Sequence, residues 1–102
     1  MTPDDARRLA LELPDVVELP HHGFPSFRAG SKQRIFATMP SDGILRLMLE
    51  PESIREAVAE WPWCREGWWG KTLSTVEVVL ADADAVVVTE LLDEAHARAA
   101  GR

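Results

Sequence analysis

The feature that most limits how this chain can fold is the series of short, punctuated segments between Val16 and Glu50. Residues 16–19 are β-type and end at Pro20. Residues 26–29 follow, then Gly30-Ser31 as a turn, then residues 34–39, then Pro40-Ser41-Asp42-Gly43 as a strong turn signal. Residues 44–50 alternate, with Leu45, Leu47 and Leu49 on one face and Ile44, Arg46 and Met48 on the other. Connections this short leave no room for a crossover, so the strands pair antiparallel as hairpins.

Helical patterns flank this block. Thr2 reads as an N-cap, Pro3 as the first helical residue, and Asp4 and Asp5 as first-turn acids facing the positive end of the helix dipole. Ala6, Leu9, Ala10 and Leu13 then form one stripe, which Pro14 stops. Pro51-Glu52-Ser53 opens a second helix with Ile54, Ala57, Val58 and Trp61 as its apolar stripe, ended by Pro62. Residues 63–71 read as an aromatic, glycine-containing loop, and residues 72–80 as a strand with Val76, Val78 and Leu80 inward. Asp82 or Asp84 caps a last helix that runs to about Ala99, with Val88, Leu91, Leu92, Ala95 and Ala99 as its stripe and Gly101 near its end. The order is α, three or four strands, α, β, α. This is an α+β two-layer sandwich of antiparallel sheet against helices.

Residues 1–102 form one domain, since the length is that of an ordinary domain and no linker, repeat or low-complexity tract divides it. A hydrophobic content of 46% with 27% charged residues is that of a globular chain. Cys64 is the sole cysteine, so no intrachain disulfide can form. No apolar run approaches the ~20 residues that cross a bilayer. The first five residues are acidic where a secretory signal would be basic, so a cytoplasmic location is expected.

The net charge of −6 argues against strong nonspecific attraction to nucleic acid, but its distribution is uneven. Residues 21–49 carry Arg28, Lys32, Arg34 and Arg46 against Asp42 alone, a net of +3, while each remaining stretch is negative.

The stretch His22-Gly23-Phe24-Pro25-Ser26-Phe27-Arg28, followed by Lys32-Gln33-Arg34-Ile35-Phe36-Ala37, resembles the MmcQ/YjbR family. So do the opening helix ending in Leu13-Pro14, the leucine-rich strand ending in Glu50-Pro51, the loop Trp68-Trp69-Gly70-Lys71 and the closing helix. Each motif is short, and the specificity lies in their order along nearly the whole chain. The resemblance implies a two-layer α+β domain similar to that of bacterial secretion chaperones. It also implies DNA binding, with two β-hairpins acting as wings against the duplex. It brings no catalytic motif.

The candidate residues divide into three groups. Arg28, Lys32, Arg34 and Arg46 are the basic set; on one β-ribbon they would contact phosphates, and otherwise they solvate an exposed sheet face, paired with Glu50 or Glu77. Trp63, Arg65, Trp68, Trp69 and Lys71 form an aromatic and basic group that either seals the edge of a small core or binds something flat and anionic. His21, His22, His96 and Cys64 would need to converge to hold a metal or do chemistry. Adjacent strand residues point to opposite faces, so His21 and His22 alone make no site, and Cys64 reads first as a small buried hydrophobe. No catalytic residue, metal ligand or cofactor is assigned. Three functions follow in order: a nucleic-acid-binding module of weak, salt-sensitive affinity, a protein-interaction or self-associating module, and a small-molecule binder.

Overall fold

The computed structural model describes residues 1–41 and 43–102, so the turn expected at Pro40-Ser41-Asp42-Gly43 lies partly outside the described residues. Helix α1 (Pro3–Leu11) begins as its capping chemistry dictates. Asp5 N donates to Thr2 Oγ1 at 3.1 Å, while Thr2 N donates to the Asp5 carboxylate at 2.9 Å. These bonds, together with the nearby Arg8, hold the Asp5 carboxyl below its ordinary range. Helix α2 (Pro51–Glu60) also starts on a proline, and α3 (Ala85–Ala99) is capped by Asp84, whose carboxylate accepts from Val86 N and Val87 N.

Among the described residues six strands form one antiparallel sheet: β1 (Val16–His21), β2 (Phe24–Ala29), β3 (Arg34–Ser41), β4 (Ile44–Met48), β5 (Cys64–Trp69) and β6 (Thr72–Val79), in the order β1-β2-β3-β4-β6-β5. The helices pack against one face. Phe27, Phe36, Leu45, Leu47, Ile54, Val76, Val78, Val88 and Leu92 are fully buried between the layers.

Several sequence expectations shift, among them the strand expected over residues 44–50, which ends at Met48. Pro20 does not end the first strand but lies within it, opposite Pro25. β1 is an edge strand, so the missing N–H faces outward and disrupts no ladder bond. Residues 63–71 are not a loop: β5 and its turn occupy them, paired to β6 from Cys64↔Val78 to Trp69↔Thr72. The segment lacks apolar alternation because it is an edge strand, and Gly67 is required where its backbone lies against Thr75, whose Oγ1 would sit 2.0 Å from an added Cβ. The strand expected over residues 72–80 ends at Val79, and the buried Leu80 falls in a single 3-10 turn, Leu80–Asp82.

His96 fills a place the sequence left blank. It is 2% exposed, meets Phe36 edge to face at 5.4 Å between ring centroids, and has Nε2 2.7 Å from the Pro14 carbonyl. A carbonyl can only accept, so Nε2 carries the proton, and Nδ1 accepts from the Arg102 guanidinium. His96 therefore ties α3 to the turn that follows α1.

Candidate functional site

The face of the sheet turned away from the helices carries one continuous row of side chains. Residues directly opposite one another in an antiparallel ladder share a face. The register runs Leu19↔Ser26, Ser26↔Thr38, Thr38↔Arg46, Arg46↔Glu77 and Glu77↔Arg65, crossing all six strands. A register shift between Phe27 and Arg28 makes this possible. Phe27 faces Ala37 and Arg28 faces Ile35, so Phe36 is the extra residue of a bulge and packs into the core, while Thr38 emerges on the open face.

The row is polar and partly dry. Ser26 Oγ donates to the Leu19 carbonyl at 2.7 Å and accepts from Arg28 Nε at 3.3 Å. Arg46 Nε donates to Glu77 Oε2 at 2.7 Å, an ion pair between half-exposed side chains. Thr38 is the exception: it is 2% exposed, and its hydroxyl oxygen is buried with no hydrogen-bond partner among the described residues. Such a group normally finds a partner.

Thr38 lines a depression of about 210 Å³ on this face. Arg46 and Glu77 contribute to the same depression, with Phe24 and His21 from the β1–β2 hairpin and Trp68 and Trp69 from the β5–β6 hairpin. The first hairpin closes on His22 and Gly23, both at positive φ (51° and 85°), the geometry of a two-residue turn that matches strand twist. That turn sets the His21 ring 5.7 Å from Phe24. Trp69 is 83% exposed and Trp68 54%, so both rings stand largely uncovered beside the depression.

The basic set is not one surface. Arg28 shares the open face with Arg46 and Arg65, but Arg34 lies opposite Ala29, which is buried under the helices, so it belongs to the other face. Lys32 sits in the turn beyond both, and lines a shallow cleft with Arg34 and Gly101 near the end of α3. Arg46 is paired to Glu77, one of the two acids expected as partners. The aromatic group also divides. Trp63 is buried and stacks on Trp61 at 5.7 Å, Arg65 lies on the open face, Trp68 and Trp69 line the depression, and Lys71 is exposed in the hairpin turn.

The remaining candidates do not converge. His22 lies in the turn at positive φ and not in the strand, so the two rings do not point to opposite faces as expected but meet at 4.3 Å between centroids, while His96 is buried apart from them with Phe36 and Pro14. Among the described residues no three metal-ligating side chains come together. Cys64 is 4% exposed, and burial pushes its thiol up to about 11. The adjacent Arg65 points to the opposite face and does not activate it. Ile44 and Met48, on the strand face opposite the leucines, are only half-exposed. No helix among the described residues is long and apolar enough to cross a membrane.

Among solved structures the chain is similar to Deinococcus radiodurans protein DR2400, which carries a DUF419 domain. The TM-score is 0.73 at 28% identity, over 92% of this chain and 75% of that one. The fold matches a DUF419 domain. No family model matches the sequence. No curated protein matches it either.

Proposed function

We propose that this protein is a binding module without catalytic activity, and that its working surface is the open face of the sheet. The partner that suits this face is a single-stranded nucleic acid, which offers both phosphates for arginine and unstacked rings for tryptophan. The observation that carries the reading is the sorting of charge between the two layers. Arg28, Arg46 and Arg65 share the open face with Glu77, a net of +2, whereas the helices carry Asp4, Asp5, Glu52, Glu56, Glu60, Glu90, Asp93 and Glu94 against Arg7, Arg8, Arg55 and Arg98, a net of −4. An anionic partner is repelled by the helix layer and attracted by the sheet. The resemblance to the MmcQ/YjbR family, whose members are labelled DNA-binding, supports the partner class. The division of Arg28 from Arg34 favours a strand laid on the sheet over a duplex gripped by the β2–β3 hairpin.

The test is binding of labelled single- and double-stranded DNA across a salt series. Single strands are expected to bind more tightly, with a log–log salt slope of about −1.4 for two arginine contacts to phosphate, Arg28 and Arg65, since Arg46 is neutralised by Glu77. The double variant Arg28→Glu with Arg65→Glu should abolish binding, and Arg34→Glu should leave it nearly unchanged. Equal loss in both variants, or no binding at low salt, would remove the reading.

A protein partner is the second reading. Val17 and Leu19 are exposed together on edge strand β1, where another chain has access to both side chains and free backbone groups. Concentration-dependent sedimentation tests it for self-association, with a dimer expected and a monomer at all concentrations counting against it.

A further inference from the structure

The geometry points to the depression around Thr38 as a pocket for one planar heterocycle with a mixed donor and acceptor edge, that is, a single unstacked nucleobase. This deepens the reading above and rests on it for the strand, while the pocket itself should take a free nucleoside. Size is the first reason. At about 210 Å³ the depression falls below the ~300–1,000 Å³ of pockets for drug-sized ligands, so it suits a ring system and leaves phosphates outside.

Polarity is the second. Three polar groups from adjacent strands lie at the floor or directly beneath it, with Thr38 Oγ1 itself closed to water. Thr38 Oγ1, unpartnered among the described residues, can donate or accept. Arg46 gives its Nε to Glu77, which leaves its terminal N–H groups as donors. Glu77 uses Oε2 on Arg46, which leaves Oε1 as an acceptor. Because Arg46 and Glu77 cancel in charge, the floor favours a neutral ring over an anion. Guanine is the one base of DNA whose edge sets an acceptor beside two donors, and that edge matches an arginine and threonine next to a carboxylate. Guanine is therefore the expected preference.

The walls are the third reason. Phe24 and His21 stand on one hairpin, and Trp68 and Trp69 on the other. The uncovered ring of Trp69 supplies a stacking surface that the folded chain does not use.

The experiment is a ¹⁵N–¹H correlation titration of the full chain with guanosine, adenosine, cytidine and thymidine, at salt high enough to screen phosphate contacts. Guanosine should shift the Thr38, Arg46, Glu77 and Trp69 signals at lower concentration than the other three. Trp69→Ala should weaken binding roughly 5- to 100-fold. Thr38→Val should weaken it while the protein stays folded, and Glu77→Gln should remove the guanine preference. Absence of shifts at these residues with any nucleoside at millimolar concentration would overturn the proposal, and so would equal shifts with all four. An oligonucleotide that binds equally well with its bases removed would sink the pocket but leave the strand reading. Guanosine seated at Thr38 with no oligonucleotide binding would do the reverse.

Discussion

Replacing Thr38 by valine should make the free protein more stable, which is unusual for a change at a 2%-exposed position. The two side chains have nearly the same shape, and both are β-branched and suited to a strand. What changes is a hydroxyl that is buried with no partner among the described residues. Leaving such a group unpaired costs about 1–3 kcal/mol, and valine removes that cost. For a domain of this size the gain corresponds to a rise in Tm of about 5–15 °C. Ser26 lies next to Thr38 in the same row and gives the opposite expectation. Its hydroxyl bonds Leu19 O at 2.7 Å and Arg28 Nε at 3.3 Å, so Ser26→Ala should cost about 1 kcal/mol or more. Urea and thermal unfolding followed by tryptophan fluorescence would measure both. If Thr38→Val destabilises the protein as Ser26→Ala does, the Thr38 hydroxyl is partnered in the free protein, and the idea of a donor held ready for a ligand fails.

Two further predictions concern the helix side. His96→Leu removes the donor to the Pro14 carbonyl and should cost about 1–3 kcal/mol in urea unfolding, whereas His96→Gln, which keeps an N–H, should recover part of the loss. Cys64 should react with iodoacetamide about 100-fold more slowly in the folded than in the unfolded chain at neutral pH, because its thiol is raised to about 11 from an ordinary 9.0. The folded state holds the thiol proton more tightly, so the contribution of Cys64 to stability is constant below about pH 9 and is lost as pH rises towards 11; Cys64→Ala should lack this fall.

The sequence and the structure agree where local chemistry decides. Thr2, Pro3 and Asp5 set the start of α1, Asp84 caps α3, and the alternation of Leu45, Leu47 and Leu49 places them in the core. Local pattern failed at the edges of the sheet. β5 has a single buried residue, Cys64, carries Gly67 and ends in two exposed tryptophans, so it offers no apolar period to read. Pro20 looked like a stop because nothing in the sequence says that β1 has a free edge.

The candidate site was legible only in fragments. Arg46, Arg65, Trp68 and Trp69 were each noticeable as residue types, but the row that unites Thr38, Arg46 and Glu77 depends on register between strands far apart in the chain. Thr38 carried no signal at all. Its position rests on the bulge at Phe36, and strict alternation would have put both residues on one face. The same dependence on register separates Arg28 from Arg34, two side chains that look equivalent around a turn.

The most direct measurement is ¹⁵N–¹H mapping of the full chain during titration with a short guanine-containing single-stranded oligonucleotide. Shifts concentrated at Arg28, Thr38, Arg46, Arg65 and Trp69, and lost together in the Arg28→Glu, Arg65→Glu double variant, are the predicted result. Shifts that track Lys32 and Arg34, or fall on the helix layer, or fail to appear at low salt, would contradict the assignment of the open sheet face as the working surface.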